Sequence, residues 1–281
     1  MAGITSLISH HSETGWDGSK NMTIPLYQVD AFTDKVFGGN PAAVCPLEAW
    51  IDDVTLQRIA AENNLAETAF FVKEGDGFRI RWLTPKSEVD LCGHATLATA
   101  YVIFNHLNFR APSIVFESRS GKLSVTRSGE WYTLNFPTDR LVRGDVLQVY
   151  TSCFGKQPLE AYHGRTDLML VYSSRDDVEA ITPDFSKVAE LGERGVIVTA
   201  KGTDTDFVSR FFAPEVGINE DPVTGSAHTT LTPYWSGRLG KKELTARQVS
   251  ERGGYLKCKL LGDRVEISGQ AAFYLSGEIS V

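Results

Sequence analysis

Apolar runs of strand length dominate the chain, set between turn residues and interrupted by a few stretches of helical period. Residues 26–32 alternate as an amphipathic strand, and 37–41 form a tight turn before the apolar 42–44. Residues 52–64 predict a helix whose buried face carries Leu56, Ile59 and Ala60, with Asn63-Asn64 as its stop. Strands are expected at 65–72 and 78–83, the latter closed by Thr84-Pro85, then a helix over 95–107 and strands at 113–117, 122–126 and 132–136. Pro137-Thr138-Asp139 is the candidate hinge. The second half predicts helices at 146–154, 175–181 and 229–239, and strands at 168–172, 195–200 and 207–212. Residues 217–224 are expected to form a loop. Further strands are punctuated by Arg252-Gly253-Gly254 and Gly262-Asp263, and a final strand at 272–281 is placed to return to the first domain.

One piece of this pattern occurs twice. Arg81-Trp82-Leu83-Thr84-Pro85, seven residues, then Gly93-His94-Ala95 is echoed by Arg210-Phe211-Phe212-Ala213-Pro214, ten residues, then Gly225-Ser226-Ala227. Each copy is an apolar strand, a Pro-closed bend, a polar loop and a small-residue helix start, which marks a duplicated unit. Two similar domains facing each other would bring both helix N-termini into one cleft. A length of 281 residues accommodates two cores.

Charge narrows the partners. With 28 basic and 35 acidic residues the net charge is −7, without a basic block, which argues against nucleic acid and anionic membranes. Cys45, Cys92, Cys153 and Cys258 are scattered with no C-x-x-C spacing, so neither a zinc site nor a disulfide framework is indicated and a cytoplasmic setting is expected. No apolar run approaches the roughly 20 residues of a membrane span. Residues 1–22 are polar and read as an extension or cloning remnant; His10-His11 lack companions at ligand spacing.

Several residues could carry chemistry. Gly93-His94 at a helix start offers free N–H groups and a positive dipole end to a carboxylate, or else is a glycine turn with His94 as a cap. Glu67 either is a solvated residue opening a strand or is desolvated by the apolar run that follows it, which would raise its pKa and suit it to moving protons. Asp221 and Thr224 are helix caps on one reading, and on the other Asp221 is an acid held near a second helix N-terminus. Asn40, beside Gly38-Gly39, offers a donor and an acceptor.

Four segments together resemble the signature motifs of the PhzF-like (phenazine-biosynthesis-like) isomerase family: 37–44 (FGGNPAAV), 64–70 (NLAETAF), 91–98 (LCGHATLA) and 220–228 (EDPVTGSAH). They occur in the family's order, and the resemblance covers nearly everything after Met22. It implies an α+β, diaminopimelate-epimerase-like fold: two pseudo-symmetric domains, 23–136 plus 271–281 and 137–270, each a curved, mostly antiparallel sheet around a central helix. It also implies a homodimer that uses no metal or cofactor and acts on a small carboxylate. The family's proton-transferring glutamate falls on Glu67, and its assisting polar groups fall on His94, Asp221 and Ser226. Gly93 and Gly225 become backbone donors, with Asn40, Cys92 and Thr224 beside the substrate. Ala66 stands where many members carry Ser, which bears on substrate choice. Related racemases and epimerases of this fold use two cysteines. Here Cys92 has Thr224 as its counterpart, so a Cys92-based racemase is the alternative, and a non-catalytic binding or regulatory protein is the alternative of another class.

Overall fold

A computed structural model describes residues 22–281; the extension with His10-His11 lies outside the described residues. The first half runs β1 (Thr23–Ala31), β2 (Asn40–Leu47), α1 (Asp53–Asn63), β3 (Glu67–Glu74), β4 (Gly77–Leu83), β5 (Glu88–Val89), α2 (Gly93–His106), β6 (Ser113–Ser118), β7 (Gly121–Ser128) and β8 (Trp131–Pro137). The second half runs β9 (Val142–Gly144), α3 (Gln148–Phe154), β10 (Glu160–His163), β11 (Asp167–Val171), α4 (Arg175–Glu179), α5 (Phe185–Ala189), β12 (Gly195–Lys201) and β13 (Phe207–Ala213). A short 3-10 turn (Pro214–Val216) leads to β14 (Ile218–Asp221), α6 (Gly225–Leu239), β15 (Glu243–Gln248), β16 (Gly254–Leu261), β17 (Arg264–Gly269) and β18 (Ala271–Ser280).

The strand ladder shows the duplication directly. In the first half neighbours run β18-β1-β2-β3-β4-β6-β7-β8, parallel only at β2–β3 and β4–β6. In the second they run β9-β10-β11-β12-β13-β15-β16-β17, parallel only at β11–β12 and β13–β15. The halves meet where β8 pairs antiparallel with β17, from Tyr132↔Gly269 to Pro137↔Arg264. One edge strand crosses this junction: β18 returns to pair with β1 through Thr23↔Ser280, while β9 pairs with β10 within its own half.

Each sheet has a helix on its concave side and shorter helices outside. Ten of the fourteen residues of α2 are buried, as befits a helix apolar on all sides. Its threonines satisfy their hydroxyls within the helix, Thr99 donating to the Ala95 carbonyl at 2.7 Å. α1 covers the outer face with the expected Leu56, Ile59 and Ala60, capped by Asp52 and closed by Asn64 in the left-handed region. A single apolar cluster, containing Phe32, Trp82, Leu97, Phe207, Leu231 and Ile267, runs through both halves.

Helix α6 continues past Pro233. That residue cannot donate to Thr229, four residues earlier, and the freed Thr229 carbonyl accepts instead from the Asp139 amide at 3.2 Å. The candidate hinge is accordingly pinned: Pro137 is the last residue of β8, Thr138 donates to the Asp263 carbonyl at 2.8 Å, and the Asp139 carboxylate accepts from the Arg140 and Arg165 amides. Other expectations shift for local reasons. Both central helices begin at their glycines, so His94 is a helical residue and Cys92 takes the cap position. Asn40 and Pro41 open β2 instead of closing a turn, and the expected loop at 217–224 contains β14, which pairs with β13.

Candidate active site

The two central helices meet end to end. A Cβ built on Gly93 would lie 3.5 Å from the Cα of Gly225, and the reverse distance is the same. That is ordinary contact, so packing within the protein does not demand glycine at either position. What glycine preserves is an open approach to two helix N-termini, neither of which has a side-chain cap hydrogen bond from its Cys92 or Thr224. A pocket of about 160 Å³ lies over this junction, lined by Glu67, Cys92, Gly93, His94, Asp221, Thr224, Gly225 and Ser226 among others.

Glu67 is no solvated residue. Its side chain is 13% exposed, and burial, reinforced by the charge of Asp221, pushes its pKa from 4.5 up to about 8. One carboxylate oxygen, Oε2, lies 3.2 Å from His94 Nε2 without the alignment of a hydrogen bond, and neither atom has another partner. Burial drives the His94 pKa down to about 3, so the ring is neutral. The imidazolium is disfavoured chiefly by desolvation rather than by the helix dipole. His94 Nδ1 faces Asn40 Nδ2 at 3.2 Å and Cys92 Sγ at 3.5 Å. The two hydrogens of Asn40 Nδ2 are directed at Asp221 and Val223, and the Cys92 thiol can donate or accept, so these neighbours are compatible with either neutral tautomer of His94.

Asp221 ionises before Glu67. Burial raises it to about 6, opposed by hydrogen bonds from Thr224 Oγ1 at 2.5 Å and Asn40 Nδ2 at 2.8 Å. Once charged, Asp221 makes the loss of the Glu67 proton harder, so the two carboxyls are pushed apart in acidity. Asn40 joins the halves: its amide also donates to the Val223 carbonyl at 3.0 Å, while its Oδ1 is buried with no partner. Glu67 Oε2 and His94 Nε2 are thus two buried polar atoms left without a hydrogen-bond partner on the pocket wall, as suits a site built for a ligand.

Residues 29–277 match the family described as phenazine biosynthesis-like protein. The chain belongs to this family. It is 50% identical over 258 residues to an uncharacterized isomerase of Pseudomonas aeruginosa, covering 92% of this chain and 99% of that protein. It is 40% identical over 287 residues to a human phenazine biosynthesis-like domain-containing protein, covering 92% and 100%. A crystal structure of a PhzF-family protein from Enterococcus faecalis superposes with a TM-score of 0.91 at 50% identity, covering 92% of this chain and all of that one. A hydroxyproline epimerase from Agrobacterium vitis shares the fold with a TM-score of 0.59 at 11% identity, covering 92% and 93%. The α+β, diaminopimelate-epimerase-like architecture follows.

In this phenazine biosynthesis-like protein every sequence-predicted site residue comes together: Glu67, Cys92, Gly93, His94, Asp221, Thr224, Gly225 and Ser226 on the pocket wall, and Asn40 behind His94 and Asp221. Thr224 holds the N-cap position of α6, but its hydroxyl donates to Asp221 at the end of β14 and neither side chain caps the helix. Glu67, Cys92 and His94 can offer one ligand atom each within 4.8 Å of one another, donor types that suit zinc. The thiol would first have to ionise, and burial together with the Glu67 charge holds its pKa well above 9.0.

Sequence reasoning missed the supports. Gln248, fully buried, accepts from the Thr224 amide at 2.8 Å and donates to the Asp221 carbonyl at 2.8 Å, which fixes the approach to α6. Nothing in its position at the end of an alternating strand signals that role. Arg252 donates to the carbonyls of Gly39 and Gly38 and to Asp30, clamping the turn that delivers Asn40. Its Arg-Gly-Gly context was visible in sequence, but the partner more than two hundred positions away was not. Gly39 in that turn has φ +61° and would carry a Cβ only 2.2 Å from the Ala31 carbonyl oxygen, so no other residue fits.

Proposed function

We propose that the chain is a cofactor-independent isomerase that moves a proton on carbon in a small carboxylate-bearing substrate, with Glu67 as the single acid/base. The observation that carries this is Glu67 itself: a buried carboxyl titrating at about 8, unpartnered at Oε2, on the wall of a pocket into which two uncapped helix N-termini open. The isomerase names carried by the Pseudomonas relatives support it.

The substrate carboxylate would lie against the N–H groups of Gly93-His94 and Gly225-Ser226, where the dipoles stabilise charge that spreads onto it as the carbon loses its proton. Glu67, ionised in the bound state, abstracts the proton from one carbon and returns it to another or to the opposite face. A carboxyl with pKa near 8 is well matched to both steps at neutral pH. Neutral His94, its Nε2 3.2 Å from Glu67 Oε2, gives the carboxyl or a substrate heteroatom a hydrogen-bonding partner without carrying charge into the pocket. Ser226, on the pocket wall in the first turn of α6, supplies a hydroxyl donor.

Deuterium transfer from solvent into a panel of unsaturated and amino carboxylates tests the proposal. Wild type should label at least one of them and Glu67→Gln should label none. No labelling by wild type would favour the non-catalytic binding protein. A Cys92 racemase is the weaker reading, because the thiol holds its proton and Thr224 stands where a second thiol is needed. A homodimer, a cytoplasmic location and the absence of nucleic-acid or membrane partners belong to the same proposal, and light scattering on the purified chain checks the dimer.

A further inference from the structure

Two guanidinium groups, Arg165 and Arg194, line the same pocket, and neither is needed to hold the carboxylate already placed at the helix N-termini. Both belong to the second half, Arg165 just before β11 and Arg194 just before β12. Those strands are parallel neighbours, paired from Asp167↔Gly195, so the two residues emerge side by side at one end of the sheet. Their presence is notable in a chain of net charge −7.

Arg194 is held in place. Its Nη2 donates to Asp167 at 2.6 Å, and its guanidinium carbon sits 5.6 Å from the centre of the Phe211 ring, itself a pocket residue. The Asp167 side chain is 4% exposed and that of Arg194 is 42%, so the acid anchors the guanidinium from behind and leaves its outer side to the pocket. Its charge already reaches Asp221 and favours the ionised form there. Arg165 is exposed, with its backbone amide fixed on the Asp139 carboxylate, and among the described residues no carboxylate lies within ion-pair distance of its guanidinium. Asp167 takes one edge of the Arg194 guanidinium and leaves its other N–H groups for a second acceptor, while the Arg165 guanidinium has no carboxylate partner among the described residues.

Building on the isomerase reading, we propose that the substrate is a dicarboxylate, with one carboxylate at the paired helix N-termini and the second held by Arg194 and Arg165 at the mouth of the pocket. The planar fork of Arg194, oriented by Asp167 and Phe211, suits a bidentate carboxylate, while Arg165 closes over the group from the solvent side. Arg165 and Arg194 are then specificity residues, remote from the reacting carbon.

Binding needs no turnover, so the test stands whether or not Glu67 proves to be the base. Calorimetric titration of the full chain with succinate, glutarate and adipate, each against the monocarboxylate of equal carbon number, gives the diacid preference directly. At least one diacid should bind about tenfold more tightly than its monoacid or better, and Arg194→Gln and Arg165→Gln should each bring that ratio toward one while leaving monoacid affinity within about twofold. Arg194→Lys, which keeps a cation over Asp167, should retain part of the preference and guards against a merely structural loss. The proposal is overturned if wild type shows no diacid preference, if the preference survives both Gln variants, or if those variants lose monoacid binding to the same degree. Failure of Glu67→Gln to abolish proton exchange would instead refute the catalytic assignment alone.

Discussion

Replacing Glu67 with Gln should make the protein's stability less sensitive to pH, in a direction opposite to the usual behaviour of carboxylates. A surface Asp or Glu in an ion pair stabilises the fold when ionised, and stability is lost on acidification. Glu67 has a folded pKa of about 8 against an ordinary value of 4.5, so the folded state binds a proton that the unfolded chain has released. Its contribution is fully present below about pH 4.5 and is lost as the pH rises through 8. At about 1.4 kcal/mol per pH unit, the loss is below about 1 kcal/mol at pH 5 and on the order of 5 kcal/mol by pH 9. That is an upper bound, since water entering the pocket would soften it. The neutral amide of Gln fills nearly the same volume and does not titrate. Urea denaturation of wild type and Glu67→Gln at pH 5, 7 and 9 should show midpoints that nearly coincide at pH 5 and diverge progressively, with the variant the more stable. With slopes of about 1–3 kcal/mol per molar urea, the full loss corresponds to a divergence of about 1.5–5 M at pH 9, and a softened one to proportionally less. Parallel pH curves for the two proteins would show that Glu67 titrates like an exposed glutamate, and the argument for its catalytic use would fall with it.

Four further outcomes are expected. In wild type, kcat/KM for proton exchange should rise with pH toward a limb near 8 as free Glu67 ionises, and an optimum below pH 6 would contradict this. Cys92→Ser should keep substantial exchange activity, whereas a thiol-based racemase would lose nearly all of it. Gly93→Ala should leave stability within about 1 kcal/mol of wild type, since the added Cβ meets nothing closer than 3.5 Å, yet weaken carboxylate binding at least severalfold in the same titrations. Arg252→Ala should cost about 1–3 kcal/mol in urea denaturation, because it strands the buried Asp30 and frees the turn carrying Asn40, and it should lower kcat more than it raises KM.

Much of the local architecture was legible in the sequence because it is decided by neighbours along the chain. The alternation at 26–32, the Asp52 cap with its apolar face of Leu56, Ile59 and Ala60, and the duplicated strand, bend and glycine start are all set by short-range sterics and by which side chains seek burial. The motif resemblance extended this to the whole site, and the residues it picked out do converge.

The remainder depends on distant partners. Whether Glu67 is a solvated side chain or a proton carrier could not be decided from the apolar run beside it, because its pKa depends first on burial by the packed structure around it and then on Asp221, more than 150 positions away in sequence. The Asn40 bridge, the Gln248 support, the Arg252 clamp and the rescue of α6 at Pro233 by Asp139 each join residues from separate elements, so no local pattern encodes them. The sequence by itself determined most of the longer strands and helices and picked out residues that converge on one pocket. Only the tertiary structure decided their ionisation and the company of Arg165 and Arg194, because desolvation and Coulomb interactions act through space rather than along the chain.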